Sequence, residues 1–276
     1  MAAIVLALVL VSPGAPGYVG AALAVASVAF IGGWDDHRPL PARRRLLVHL
    51  AAGVMLAGAM ACGRGNVAVM AGTVAAVAVL VNVWNFMDGI NGIAASQAGL
   101  VAAFAGLLLD GPASTVAFAI AVACAAFLPF NFPRARIFLG DVGSGALGVA
   151  VALLGSDAWR AGPATALAML LPLSAFLVDA GLTLARRVLR GERWWEAHAQ
   201  HLYQVLARRY GHTRVTLGYA AWTAACGAAS LALPAGRPGF IIAVAAACYT
   251  AATALWLVGQ RRFENGRDGR RTRKDR

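Results

Sequence analysis

Lysine is almost missing from these 276 residues: Lys274 is the only one, and arginine carries the rest of the positive charge. Charge of either sign is scarce. Lys, Arg, Asp and Glu make up 13% of the chain against roughly 25% in soluble domains, while hydrophobic residues reach 60%. That balance excludes an ordinary soluble domain and indicates a membrane protein. Cysteine is sparse as well. Cys62, Cys124, Cys226 and Cys248 lie within or at the ends of apolar runs and show no CxxC spacing, so neither a disulfide framework nor a zinc site is expected, and each reads as a small buried hydrophobe. The first eleven residues hold no basic side chain. A secretory signal normally begins with one, so a short or truncated membrane segment fits this stretch better. No repeat of solenoid type is present.

What is there is a net charge of +12, which on its own would suit nucleic acid. Its placement argues otherwise. The arginines fall in short loops and in the tail from Arg261 to Arg276, next to apolar runs. Such placement follows from topology control and contact with anionic lipid, and no nucleic-acid partner is expected.

Apolar runs lie near 2–12, 18–33, 46–62, 67–84, 93–109, 113–130, 143–156, 163–185, 214–233 and 239–258. Unpaired backbone is not tolerated in hydrocarbon and a spanning helix needs about 20 apolar residues, so these runs predict an all-α polytopic transmembrane helical bundle of about nine or ten spans. The expected organisation is one membrane domain over 1–258, with a partial span at 1–12, a loop at 186–213, and a disordered basic tail at 259–276. If the 34–45 loop is cytosolic, so are those near 85–92, 131–142 and 186–213, and the tail. Only Arg64, Arg160 and Arg237 then fall in loops on the other side, as the positive-inside rule requires. Trp194 and Trp195, set among arginines, fit an amphipathic element at the headgroup level or a plain aromatic anchor.

Four polar motifs sit at span ends on that one side. Asp35 and Asp36 are adjacent and precede Arg43-Arg44-Arg45; neighbouring carboxylates need a metal, a cation or a shared proton, or else simply end a helix with arginines neutralising them. Asn82, Asn85, Asp88 and Asn91 recur every third residue. On a helix they would form one polar strip, broken by Gly89 and Gly92 so that a ligand can approach the backbone. Asp141 stands between glycines at a helix start, where a carboxylate and free N–H groups together suit a metal-bound phosphate; a plain N-cap is the alternative. His198 and His201 at i, i+3 share a helical face and suit phosphate contact or proton transfer better than zinc, for want of a third ligand. His49 and His212 read as structural. Asp179 either completes the cavity or pairs with Arg186, and no role is assigned to it. Hard oxygen ligands among arginines favour Mg²⁺ and phosphates.

Gly33-Trp34-Asp35-Asp36, Asn85-Phe86-Met87-Asp88-Gly89-Ile90-Asn91-Gly92-Ile93, Ile137-Phe138-Leu139-Gly140-Asp141-Val142-Gly143-Ser144 and Ala197-His198 to His201-Leu202-Tyr203-Gln204 together resemble the polyprenyl-phosphate N-acetylhexosamine-1-phosphate transferases. The resemblance covers about Ile31 to Gln204 in order. The His motif is most similar to the O-antigen-initiating branch, and phospho-MurNAc-pentapeptide transferase belongs to the same family. The resemblance implies transfer of N-acetylhexosamine 1-phosphate from a UDP-sugar to undecaprenyl phosphate at the cytosolic face of the plasma membrane, with release of UMP. It implies Mg²⁺, with Mn²⁺ as substitute, bound by Asp141. It further implies that Asp35, with Asp36, orients or deprotonates the lipid phosphate, that Asn85, Asp88 and Asn91 hold the nucleotide, and that His198 and His201 contact phosphate; whether the route is direct or covalent, and whether the protein is a homodimer, stays open.

The chain departs from that pattern in having only about thirty residues before Asp35, without the further spans and basic loop that family members carry there. An incomplete, inactive homologue is therefore one competing expectation. A transporter or flippase is another, and it would place polar groups near mid-bilayer.

Overall fold

A helix stands on every one of the ten apolar runs in the computed structural model, which describes residues 1–11, 13, 15–60, 66–193, 196, 198–234 and 236–274, and for 263–274 the backbone alone. The helices are α1 (Ala2–Val11), α2 (Gly17–His37), α3 (Ala42–Met60), α4 (Val67–Met87), α5 (Ile93–Leu108), α6 (Gly111–Asn131), α7 (Gly140–Ala161), α8 (Pro163–Leu189), α9 (Leu202–Tyr210), α10 (His212–Leu231) and α11 (Pro238–Lys274). No strand occurs among the described residues. The protein is an all-α polytopic helical bundle. Six helices are long and apolar enough to cross a membrane: α2, α4, α6, α7, α8 and the Pro238–Arg262 part of α11. Helix α1 has ten residues and reaches only about 15 Å, half the thickness of the hydrocarbon.

Local chemistry sets many of the boundaries. Asn66 caps α4 by accepting from the Ala68 N–H at 2.9 Å. Pro112 and Pro163 open α6 and α8, where their missing N–H costs nothing. The chain leaves α4 and re-enters α5 through Gly92 at φ +74°, a left-handed conformation in which glycine carries no Cβ penalty.

Helix α7 lies at the centre. Its spanning window is 83% buried, against 22% for α6 and 17% for α11, which face outward. Between apolar helices in lipid there is no hydrophobic drive, so close backbone approach through small residues holds them together. Gly148 of α7 rests on the main chain of Val81 in α4, and Gly32 of α2 rests on the main chain of Asp141 and Val142. Helix α1 packs on α2 and α6 through the buried Ile4 and Leu8.

Alternating helices bring the joins 38–41, 88–92 and 132–139, and the described residues 190–193 and 198–201 between α8 and α9, to one end of the bundle. At the other end Asp157 accepts a hydrogen bond from Tyr18 Oη at 3.0 Å and has Arg160 at 3.7 Å, so its charge is met locally.

Two helical stretches lie outside the expected spans. The 186–213 segment, expected as a loop in which His198 and His201 would share a helical face, contains α9 from Leu202. Helix α11 runs on through Lys274; extending an existing helix fixes one residue per hydrogen bond gained, whereas nucleating one is costly. Cys124, Cys226 and Cys248 are free thiols, as expected, while Cys62, Trp194 and Trp195 lie outside the described residues. The α4–α7 contact gives a direct stability test. A Cβ on Gly148 would stand 2.5 Å from Val81 Cα, whereas one on Gly155 meets nothing within 4 Å. Gly148→Ala should destabilise the protein by about 1–3 kcal/mol and Gly155→Ala should not, read as melting temperature in detergent.

Candidate active site

Asp35 and Asp36 occupy the last turn of α2 and point to different partners. Asp35 accepts from the Leu40 N–H through Oδ1 and from Arg45 Nη1 through Oδ2 at 2.7 Å. The same Arg45 nitrogen donates to Asp141 Oδ2 at 3.2 Å, so one guanidinium from α3 ties α2 to α7. Asp36 takes the exposed N–H groups that begin α7, those of Asp141 at 3.1 Å and Val142 at 3.5 Å. A carboxylate suits the partial positive charge of a helix N-terminus. Gly140 is required at that contact: its φ is +63°, and a Cβ there would come within 2.7 Å of Asp36 Oδ2.

Helix α4 ends at Met87, one residue before Asp88, so the predicted polar strip is cut short. Asn82 spends its amide on the Ala78 carbonyl of its own helix at 2.7 Å. Asn85 borders the same cavity as Asp141. The Asp88 carboxyl is pushed up to about 7, chiefly by burial and then by the Asp141 and Asp36 carboxylates nearby. Asp35, Asp36, Asp88 and Asp141, spread over 107 positions of sequence numbering from 35 to 141, thus share one polar patch.

Two asparagines fix the turn between α4 and α5. Asn131 accepts from the Gly92 N–H and donates to the Ile137 carbonyl, both at 2.8 Å. Asn91 donates to the Pro133 carbonyl at 3.0 Å, and its own carbonyl accepts from Thr216 Oγ1 at 2.8 Å. The result is a cavity of about 260 Å³ bordered by Asn85, Asp88, Asn91, Asn131 and Asp141. Phe138 lies on its rim with 76% of its surface exposed, and His212 completes the wall.

The two motif histidines meet without sharing a helix. Their rings stack with centroids 4.8 Å apart, but His198 precedes α9 and His201 is its N-cap, in a capping box with Gln204. His201 is buried and packs against Phe86 and Tyr203. Neither ring borders the cavity. Asp179, left without a role by the sequence, is fully engaged: it accepts from the Leu202 N–H at 2.8 Å, the Tyr203 N–H at 3.0 Å and Tyr219 Oη at 2.7 Å. Arg186 reaches Gln260 rather than Asp179, at 3.0 Å. Through Asp179 the N-terminus of α9 is fastened to α8 and α10. Tyr203 then donates to the Phe86 carbonyl at 2.9 Å, and its hydroxyl fills the space over Gly89.

Among the described residues no three His, Cys, Asp or Glu side chains form a ready metal cage. Mg²⁺ does not require one, because it usually takes one or two carboxylates and completes its shell with phosphate oxygens and water. Asp141 and Asp88 on one cavity wall are hard oxygen donors that fit such an ion.

A family model described as glycosyl transferase family 4 matches residues 18–157, just over half of the chain. The chain belongs to that family. The match runs from α2 to α7 and includes all four aspartates of the patch. Among family 4 relatives, the decaprenyl-phosphate N-acetylglucosaminephosphotransferase of Mycobacterium tuberculosis (strain CDC 1551 / Oshkosh) is 34% identical over 189 residues, 57% of this chain and 46% of the relative. The phospho-N-acetylmuramoyl-pentapeptide-transferase of Synechococcus sp. (strain JA-3-3Ab) is 34% identical over 170 residues, 52% and 50% of the two chains. That of Moorella thermoacetica (strain ATCC 39073 / JCM 9320) is 38% identical over 156 residues, 46% and 48%. The chain spans about half the length of the curated relatives it matches.

Arg45, Asn131, Phe138 and Tyr203 received no individual role from the sequence. Arg45 and Asn131 are recognisable only once α3 and the 131–139 segment are folded beside the aspartates. Asp179 gives the test of the α9 anchor. Asp179→Ala leaves two backbone N–H groups and a tyrosine hydroxyl without their acceptor, a loss of about 3 kcal/mol or more. The expected readout is a lower melting temperature, with proteolysis beginning at the start of α9.

Proposed function

We propose that the protein transfers N-acetylhexosamine 1-phosphate from a UDP-sugar to undecaprenyl phosphate or a related polyprenyl phosphate, releasing UMP. The observation that carries this reading is the gathering of Asp35, Asp36, Asp88 and Asp141 around Arg45 and Asn85 at one end of a membrane bundle. Relatives named for phosphotransfer to decaprenyl phosphate support it. The Arg-rich joins at that end fit a cytosolic face and attraction to anionic lipid of the plasma membrane. A transporter reading is weakened, because the deeper carboxylate Asp179 is occupied in capping α9.

In the reaction an oxygen of the lipid phosphate forms a bond to the sugar-bearing phosphorus. The bond from that phosphorus to the bridging oxygen breaks, and the bridging oxygen leaves with UMP. Both reactants are anions, so their approach needs positive charge. Mg²⁺, or Mn²⁺ in its place, would be held by Asp141 and supply that charge at the diphosphate. Asp35 and Asp36 border the acceptor side: Asp35, already paired with Arg45, is placed to orient the lipid phosphate beside a guanidinium or to take its proton. Asp88, Asn85 and Asn91 line the donor cavity. Phe138, an exposed aromatic on its rim, offers a face for the nucleobase. His198 and His201 do not border that cavity, and their part is to shape the segment beside it.

Membranes holding the full chain, given labelled UDP-GlcNAc, polyprenyl phosphate and Mg²⁺, should form labelled lipid and UMP, and excess EDTA should abolish the product. Asp141→Ala should lower kcat by roughly 100-fold or more at normal expression. Phe138→Ala should raise the donor KM about tenfold with a smaller effect on kcat. Full turnover in EDTA, or an unaffected Asp141→Ala variant, would contradict the reading.

A further inference from the structure

Resting on the transferase reading, we propose that His212 is a specificity-determining residue of the donor site, offering ring Nε2 as a hydrogen-bond acceptor to the nucleotide sugar. His212 opens α10, is exposed to solvent, and borders the cavity that Asp88 and Asp141 line. Its tautomer follows from its neighbours. Asn91 directs Nδ2 at the Pro133 carbonyl, 3.0 Å away, and a carbonyl can only accept, so the amide orientation is fixed. The Asn91 atom that faces His212 Nδ1 at 3.1 Å is therefore Oδ1, which also can only accept. Nδ1 must then carry the proton, and in a neutral imidazole this leaves Nε2 with a free lone pair. Among the described residues Nε2 makes no hydrogen bond within the protein.

The ring is also held in place. Thr216, one turn further along α10, donates to the Asn91 carbonyl at 2.8 Å, so α10 is fastened at two points to the turn that carries Asp88. Asn131, another amide of the wall, is engaged with Gly92 and Ile137. With Nδ1 donating to Asn91, His212 thus presents Nε2 as a positioned acceptor on the cavity wall, and it selects for a hydrogen-bond donor on the ligand. That donor sits on the nucleoside half or on the hexosamine half of the substrate, and the two are separable by experiment.

The test is isothermal titration of UMP and of UDP-GlcNAc, with Mg²⁺, into the purified full chain in detergent, for wild type, His212→Phe and His212→Gln. His212→Phe keeps a ring but removes both the Nδ1 donor to Asn91 and the Nε2 acceptor; it should weaken binding about tenfold and lower the melting temperature only slightly, since the Thr216 bond to Asn91 remains. His212→Gln can donate to Asn91 and present an oxygen, and should recover most of the affinity. Equal losses for UMP and UDP-GlcNAc place the recognised donor on the nucleoside; a loss for UDP-GlcNAc alone places it on the sugar. Unchanged affinity for both ligands in His212→Phe would overturn the proposal while leaving the transferase reading intact. A wild type that binds neither ligand would overturn both.

Discussion

Like charges from three helices stand together at one end of this bundle because the positive groups that meet them belong to the fold itself. Arg45 is shared by Asp35 and Asp141, and the first N–H groups of α7 are shared by the oxygens of Asp36. Each contact joins α2 to α7, the most buried spanning helix. The charge pattern and the helix packing therefore depend on each other: Gly32 allows α2 to touch the main chain of Asp141, and that approach brings Asp36 within reach of the α7 N-terminus. In the low dielectric of a membrane interface, four carboxylates that share one guanidinium and a few backbone N–H groups stay in close mutual repulsion.

The remainder of the site is held by amides and one buried carboxylate. Asn91 and Asn131 join the 88–92 turn to the 132–139 segment. Asp179 secures α9, and Tyr203 carries that rigidity to the Phe86 carbonyl and Gly89 beside Asp88. A helix of nine residues is marginal alone. Here the buried acceptor for its N-terminal N–H groups, together with the packing of Tyr203, supplies what length does not.

Hydropathy made the spans legible because apolar length is a strong constraint in lipid, and the ten runs match ten helices. The aspartates were legible as rare charges at span ends. Contacts that depend on tertiary placement were not. Nothing in the order of residues says that Arg45 is shared by two aspartates, that Asn82 folds back on its own helix, or that His212 faces Asn91 across 121 positions. The helical strip through Asn91 failed because spacing by three carries no information about where a helix stops; Gly89 and Gly92, already noted as breakers, ended it one turn early. The His198–His201 spacing misled in the same way, since a capped helix start can stack two rings that no helix face carries.

The central claim is that the aspartate patch and a nucleotide diphosphate bind one divalent cation together. Mn²⁺ electron paramagnetic resonance on the purified full chain tests it most directly, by following the free-ion signal as UDP-GlcNAc is added. The expected result is that nucleotide sugar quenches the signal in wild type beyond its own affinity for Mn²⁺, and that the Asp88→Asn, Asp141→Asn double variant loses this extra quenching while remaining folded. Equal quenching by both proteins, or none by wild type beyond the nucleotide alone, would contradict the account.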